Sequence, residues 1–165
     1  GIHAPGGQFL LLTRAFKQHA LGASEIGDTD YYVPSSSGMA PDYYSMIALP
    51  FLGVAHRPYS PAHVRLSRDS GSGDWTITWM RRTRLGGSSV NGQNVPLGET
   101  SESYAVRIMD GAEQVRRIEV TSATATYTNA QQVTDFGSPQ TSLDIEVVQI
   151  NPLLGLDGFA AEASA

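Results

Sequence analysis

The sequence predicts an all-β protein whose main domain is a two-layer β-sandwich. Three observations indicate this fold class: short tracts in which apolar and polar residues alternate, turn-forming residues between these tracts, and little helical periodicity. Alternation with period two puts every second side chain on one face of a strand, which suits a sheet with one buried face. Seven such tracts in about 105 residues give the strand spacing of a sandwich.

The predicted strands are bounded by glycine, proline, serine or aspartate. They are HVRLS (63–67), WTITWM (75–80), SYAVRIM (103–109), QVRRIEV (114–120), TATYT (124–128), LDIEVVQI (143–150) and FAAEAS (159–164). One helix is predicted at NAQQVTDFG, with Asn129 as its cap and Gly137 at its end. RDSGSGD (68–74) and IMDGAE (108–113) each place Asp and Gly between alternating runs, which favours hairpin connections. The longer stretch 85–99 is predicted to be an exposed loop.

Residues 1–58 show a less regular pattern than residues 59–165. Strand-like tracts occur at 7–13, 17–21, 30–35 and 45–51, and the Ser- and Pro-containing stretch 35–41 interrupts them. We expect residues 1–58 to be the end of a preceding β module and residues 59–165 to form the sandwich. Exposed edges of the first part would need covering by a partner or by the sandwich.

Composition and charge exclude several classes of function. The chain has 165 residues with 16 acidic and 11 basic side chains, a net charge of −5, which argues against nucleic acid as the main ligand. It has no cysteine, which excludes disulfides, thiolate metal sites and cysteine nucleophiles. No apolar run approaches the roughly 18–20 residues that span a bilayer. The sequence predicts no cofactor and no membrane span.

The stretch DWTITWMRRTR (74–84) combines aromatic and basic residues. Trp75 and Trp79 share one strand face, and we expect both in the core because burying a tryptophan removes a large area from water. Arg81, Arg82 and Arg84 follow the strand and are candidates for contact with a phosphate, a lipopolysaccharide or a cell-surface glycan. The alternative is a solvated strand end whose arginines pair with Glu99 or Glu102 across the loop.

A second arginine pair, Arg116 and Arg117, must point to opposite faces unless a bulge intervenes, which predicts an edge strand.

Catalytic and metal-binding patterns are weak in this sequence. The four histidines lack metal-ligand spacing; they are His3, His19, His56 and His63. None of the serines lies in a nucleophile-elbow motif. Asp28 and Asp30 in GDTDYYV lack the later ligands of a calcium loop, so a turn is expected. Glu99 and Glu102 are a close acid pair, expected to be solvated. We predict that the chain is not an enzyme.

Several placed residues resemble a fibronectin type III domain. They are the Ser60-Pro61 pair that opens the first strand, Trp79 in the second, Tyr104 in the third, and the Gly155-x-x-Gly158 spacing before a small-residue final strand. The resemblance implies an immunoglobulin-like β-sandwich. Leu143 departs from the pattern, because it occupies the expected place of the tyrosine corner.

A second resemblance covers almost the whole chain. Five motifs occur in the order found in the C-terminal part of large tail-tip, or host-specificity, proteins. They are HRPYSPAHVRL (56–66), WMRRTR (79–84), NVPLGETSESYAVRIMDG (94–111), YTNAQQVTDFG (127–137) and LDIEVVQIN (143–151). Such proteins belong to siphophages and to the gene transfer agents of α-proteobacteria. The resemblance implies a structural baseplate protein in the virion, bound to other tail-tip proteins and to copies of itself as a trimer.

Two other functions remain open from the sequence. The domain could be a module that binds a cell-surface glycan through the 85–99 loop and the nearby arginines. It could also be an accessory domain of an extracellular polysaccharide-degrading enzyme, since fibronectin-like modules often follow catalytic domains.

Overall fold

The structure is a computed structural model that describes residues 20–33, 45–85 and 95–165. The chain divides into a compact unit that ends at Leu52 and a second unit, Gly53–Ala165. The domain boundary predicted between residues 58 and 59 stays a prediction. The strand predicted at 7–13 lies outside the described residues.

In the first unit, strands β1 (Thr29–Tyr32) and β2 (Ile47–Pro50) pair in antiparallel orientation. They confirm the strands predicted in residues 30–35 and 45–51. Tyr32 lies opposite Ile47. A two-stranded ladder of this length is marginally stable by itself in water, so it depends on further packing.

The strand predicted at residues 17–21 is wrong for the two of its residues that the structure describes. Ala20 and Leu21, the described part of the tract 17–21, are not in a strand. They lead instead into a 3₁₀ turn at Ala23–Glu25, where the Glu25 carboxylate accepts a hydrogen bond from the Gly22 N–H. A local bond from a side chain to the backbone competes with strand pairing, which the alternation of residues alone does not reveal.

The second unit contains eight strands and one α-helix among its described residues. In chain order they are β3 (Ala62–Arg68), β4 (Trp75–Met80), β5 (Tyr104–Asp110), β6 (Glu113–Val120), β7 (Thr124–Tyr127), α1 (Asn129–Phe136), β8 (Asp144–Asn151), β9 (Leu156–Asp157) and β10 (Ala161–Ser164). All seven predicted strands and the helix are confirmed. The two-residue β9 was not predicted, because so short a strand has no periodicity to detect.

These strands form two antiparallel sheets. The smaller sheet has the order β3-β4-β7, and the larger has the order β10-β8-β5-β6 with β9 beside β8. β6 is an edge strand, as the Arg116-Arg117 pair predicted. Arg117 points to the outer face, whereas Arg116 shares a face with Ile118 and Val120, which pack against the core.

The core lies between the two sheets. In β4, Trp75, Ile77 and Trp79 are buried while the residues between them are exposed. Trp79 packs edge to face against Tyr104 of the other sheet, with ring centroids 5.2 Å apart and an interplanar angle of 69°. Both tryptophans therefore belong to the core, as predicted. Burying each indole removes about 150–250 Å² from water, so this strand contributes strongly to stability.

Helix α1 connects the two sheets, and its cap differs from the prediction. Thr128, not Asn129, is the N-cap: its hydroxyl accepts a hydrogen bond from the Gln131 N–H, and the Gln131 amide accepts one from the Thr128 N–H. This reciprocal capping box satisfies two backbone donors that a single Asn cap would not. The predicted end at Gly137 is confirmed, with φ of 77° in the left-handed region.

A buried glutamine holds α1 against the rest of the sandwich. The Gln132 side-chain amide donates to the carbonyls of Gly73 (2.9 Å) and Tyr127 (3.2 Å), and its oxygen accepts from the Gln140 N–H (3.0 Å). The side chain is fully buried. Each polar atom thus has a partner, as burial of an amide requires.

The connection from β8 to β10 is also held by internal bonds. The Asn151 side chain donates to the His56 carbonyl (3.0 Å) and accepts from the N–H groups of Leu153 and Leu154. Gly158 packs so closely that a Cβ would lie 2.5 Å from the Pro58 carbonyl oxygen. The Gly158 position therefore requires glycine.

Candidate binding surface

The three candidate arginines follow β4 and have three different environments. Arg81 donates to the carbonyls of Val95 (2.6 Å) and Pro96 (3.0 Å). Arginine has five N–H donors in a planar fork, and here part of that fork ties the two described ends of the β4–β5 connection together. The main role of Arg81 in this geometry is to close the loop.

Arg84 is paired internally. Its guanidinium donates to both carboxylate oxygens of Glu99, at 2.7 and 3.4 Å, and only 3% of the Glu99 side chain is exposed. This is the pairing that the sequence left open as an alternative to ligand binding. Glu102 has a different partner, the Tyr104 hydroxyl at 2.7 Å. Burial, and then this hydrogen bond to Glu102, raise the pKa of Tyr104.

Arg82 is exposed, unlike Arg81 and Arg84. Its guanidinium carbon lies 5.4 Å from the centre of the Tyr59 ring, a cation–π geometry, and Tyr59 is itself 44% exposed. Within the described residues, the Arg82 guanidinium has no hydrogen-bond acceptor. Of the three predicted contact residues, Arg82 alone keeps all of its donors available to a ligand.

Another group of arginines lies on the outer face of the larger sheet. Arg107 donates to Glu146 and Asp157, and Arg117 donates to both oxygens of Asp157 at 2.8 and 2.9 Å. The hydrogen bonds from Arg117 and then from Arg107 lower the pKa of Asp157 to about 2. These charges fasten β9 to β5 and β6, so their role is structural.

A buried carboxylate joins α1 to β6 and β7. Asp135 accepts from Arg116 at 2.6 and 2.7 Å and from the Tyr127 hydroxyl at 2.7 Å. The pKa of Asp135 is lowered chiefly by Arg116, and burial raises the pKa of Tyr127.

Leu143, at the expected place of a tyrosine corner, is buried in the core. The Tyr127–Asp135–Arg116 bonds thus anchor the connection that such a corner would hold.

The predicted turn at Asp28 and Asp30 is partly wrong. Asp28 precedes β1, but Asp30 lies within it, opposite Leu49. Among the described residues, no group of three or more His, Asp or Glu side chains could hold a metal ion. His3 and His19 lie outside those residues.

His63 has an unusual backbone conformation that the sequence did not reveal. A bulge places His63 and Val64 opposite Trp79, between the pairs Ala62–Met80 and Arg65–Thr78. His63 has φ of 52°, in the left-handed region where glycine is favoured. The bulge borders an open cleft of about 340 Å³ on the outer face of the smaller sheet, lined by His63, Arg65, Thr78, Trp79 and Met80.

Comparisons with known proteins find similarity at the level of the fold. No protein-family model matches the sequence, and no curated protein matches it. The rat CD45 extracellular region, domains d3–d4, is 11% identical with a TM-score of 0.47, over 99% of this chain and 76% of that one. A Fn3-like protein from Clostridium thermocellum is 19% identical with a TM-score of 0.38, over 65% and 90%. The fibronectin type-III domain of human fibronectin type III domain containing protein 3 is 13% identical with a TM-score of 0.38, over 66% and 86%.

The second unit is a fibronectin type III-like β-sandwich, which confirms the predicted fold class. Its smaller sheet has three strands and its larger sheet has four main strands, and the chain crosses between them after β4, after β6 and after β7. In the part of the chain that the structure describes, no helix is long and apolar enough to cross a membrane.

Proposed function

We propose that this chain is a structural segment of the tail tip or baseplate of a siphophage-like particle or gene transfer agent, acting in tail assembly and host-cell attachment. The support comes from the five linked sequence motifs, which occur in order over most of the chain. In this proposal the chain resides in the virion and contacts other baseplate proteins and copies of itself in a trimer. It has no catalytic role.

The observation that carries the assembly role is the exposed apolar surface of the β1–β2 ladder. One face presents Tyr32 and Ile47, with Leu49 beside Asp30, and Ile47 and Leu49 are 50% and 52% exposed. The other face presents Tyr31, which is 66% exposed. A ladder with exposed apolar side chains on both faces favours burial between two layers, which an assembled tail tip would supply.

The sandwich suits the role of a rigid spacer. Its core seals both indoles, and internal bonds hold the connections around α1 and β9. Two carboxylates with lowered pKa values, Asp135 and Asp157, accept hydrogen bonds from arginines, and a third, Asp69, accepts them from the N–H groups of its own turn. These contacts stabilise the fold. This supports the proposal that the segment is not catalytic.

Immunogold electron microscopy tests the proposal directly. Antibodies raised against residues 53–165 would be applied to particles from the bacterium that encodes the chain. We expect label at the tip of the tail. Particles without label, or with label on the capsid, would overturn the proposal.

A matched pair of variants tests the part played by the ladder. Ile47→Lys puts a charge on its apolar face, whereas Val133→Lys puts the same charge on an exposed position of α1, where 45% of Val133 is accessible. The first variant should reduce incorporation into particles and the second should not. Equal incorporation of both would contradict a role for β1 and β2 in assembly.

Attachment through a cell-surface glycan is the second candidate function. The observation that favours it is the Arg82–Tyr59 pair, because an exposed aromatic ring beside an available guanidinium can contact both the apolar face and the charged group of an acidic sugar.

A further inference from the structure

The cleft on the smaller sheet is lined by two basic side chains that have no partner among the residues the structure describes. Arg65 and His63 line it and are exposed, and neither makes a hydrogen bond or ion pair within the described part of the chain. Most other arginines of the sandwich donate to carboxylates or carbonyls, as Arg84 and Arg107 do. Unpaired donors at a cleft are available to an external anion.

The residue at the bulge is the second observation. A bulge residue in the left-handed region is most easily glycine, since a side chain with φ of 52° is strained. The chain has a histidine there, and its imidazole borders the cleft. Strain retained at a side chain that lines a cleft is a common feature of binding sites.

The surrounding face is rich in hydroxyls and lacks acidic residues. Thr78 lies between Arg65 and Thr124 in the register of the sheet, and Thr76 lies between Ser67 and Thr126. None of the outward positions of β3, β4 and β7 is aspartate or glutamate, although the chain as a whole has a net charge of −5. An anion approaching this face therefore meets donors without a nearby repelling carboxylate from these strands.

The Arg82–Tyr59 pair extends this surface. Ala62 pairs with Met80, so Tyr59 and Arg82 both lie just beyond the same end of the β3–β4 pair. Met80 lines the cleft and is 62% exposed. An aromatic ring and a second available guanidinium thus lie beyond the Met80 end of the cleft.

We propose that this surface binds an anionic saccharide, one that carries carboxylate or phosphate groups. Arg65 and Arg82 would each bind an anionic group, Thr78 and His63 would hydrogen-bond sugar hydroxyls, and Met80 and Tyr59 would pack against the sugar ring. The inference rests on the attachment role proposed above and names its ligand class. It also moves the predicted contact site from three loop arginines to Arg82 and the β3–β4 cleft.

Calorimetry with the full chain tests the inference. The probes are an oligogalacturonate, a sugar-phosphate oligomer, a neutral dextran oligomer of similar length, and inorganic phosphate. We expect one of the charged oligomers to bind, with an affinity that falls as salt rises, and dextran not to bind. Absence of binding to both charged oligomers would overturn the inference, as would inorganic phosphate binding as tightly as they do.

Variants locate the binding on the molecule. Arg65→Gln and Arg82→Gln should each weaken binding about tenfold, the usual effect of losing a charge-assisted hydrogen bond. Arg117→Gln on the opposite sheet removes the same charge and should leave affinity unchanged. His63→Gly should weaken binding while the protein unfolds at the same or a higher temperature, which separates a binding effect from misfolding. If Arg65→Gln and Arg117→Gln have the same effect, the assigned surface is wrong.

The two proposals fail in different experiments. Saccharide binding by the purified chain does not depend on where the chain lies in a particle. Tail-tip label without saccharide binding would overturn only the ligand assignment. Saccharide binding without tail-tip label would overturn only the virion assignment.

Discussion

Asp157 accepts two hydrogen bonds from Arg117, at 2.8 and 2.9 Å, and so joins the short strand β9 to the edge strand β6. A bidentate arginine–carboxylate pair is among the stronger polar contacts in proteins. Arg107 donates to the same carboxylate from β5. One aspartate therefore fastens the β8–β10 connection to two strands of the larger sheet.

Replacing Asp157 tests this contact. Asp157→Asn keeps the shape and removes the charge, and it should lower the free energy of unfolding at pH 7 by about 1–2 kcal/mol, a value reduced for partial solvent exposure. Urea unfolding measures it. Asp144→Asn, an exposed aspartate on β8, serves as control and should change stability by less than about 0.5 kcal/mol. Equal losses in both variants would contradict the role given to Asp157.

The pH dependence of stability should differ between the wild type and Asp157→Asn. The pKa of Asp157 is lowered to about 2 in the folded protein, so the unfolded chain binds the proton more tightly. The pair therefore contributes its full stabilisation above about pH 4, which is the pKa of an aspartate in the unfolded chain. This stabilisation is lost as the pH falls toward about 2, the pKa of Asp157 in the folded protein. The stability difference between the two proteins should therefore shrink in that window. A constant difference from pH 6 to pH 2 would contradict this assignment.

Gly158 should not tolerate a side chain. A Cβ there would lie 2.5 Å from the Pro58 oxygen and 2.7 Å from the Gln149 oxygen, both of them backbone atoms. Gly158→Ala should destabilise the sandwich by about 3 kcal/mol, measured by thermal or urea unfolding. Gly71→Ala is the matched control, because its nearest neighbour is a side-chain oxygen of Asp69 at 3.3 Å. A mild effect of Gly158→Ala would mean that the β8–β10 connection is less tightly packed than described.

Gln132 should be important for stability. Gln132→Leu would leave two backbone carbonyls and one N–H without their partner in a buried place, at a cost of about 3 kcal/mol. The exposed Gln114 of β6 offers a control, and Gln114→Leu should change stability by no more than about 0.5 kcal/mol. Chemical denaturation of the three proteins decides the point. A Gln132→Leu variant as stable as the wild type would contradict the buried hydrogen bonds.

The bulge predicts an unusual stabilising substitution. His63→Gly relieves a left-handed side chain and should raise the free energy of unfolding by about 0.5–1 kcal/mol. On the same strand, Arg65→Gly has no such strain to relieve and should lower it by a similar amount. Unfolding curves for both variants give the comparison. Destabilisation by His63→Gly would show that the bulge does not strain the backbone.

The sequence predicted the sandwich well because its strands alternate strongly. WTITWM in β4 could be read from period two alone, and Trp75 and Trp79 were assigned to the core for the same reason. The tract that forms β8 alternates only in its first half, because Val147–Asn151 is buried on both faces. The edge position of β6 followed from two adjacent arginines, since one of them must face the buried side.

The site was harder to predict, because it depends on partners distant in sequence. The sequence offered Arg84 either a ligand or an acidic partner, and only the fold brings Glu99 within 2.7 Å of it. The bulge at His63 arises from the register between β3 and β4, which no local pattern specifies. The cleft and the Arg82–Tyr59 pair beyond its end could therefore be found only in three dimensions.

The central claim is that two facing sheets seal both indoles of β4 in a dry core. Tryptophan fluorescence of Trp75→Phe and Trp79→Phe, each of which keeps one indole, tests it most directly. Trp75 and Trp79 are 3% and 5% exposed, so each remaining indole should emit at shorter wavelength than free tryptophan and resist acrylamide quenching until the protein unfolds. Emission from either native variant at the wavelength of free tryptophan, with full access to acrylamide, would contradict the account.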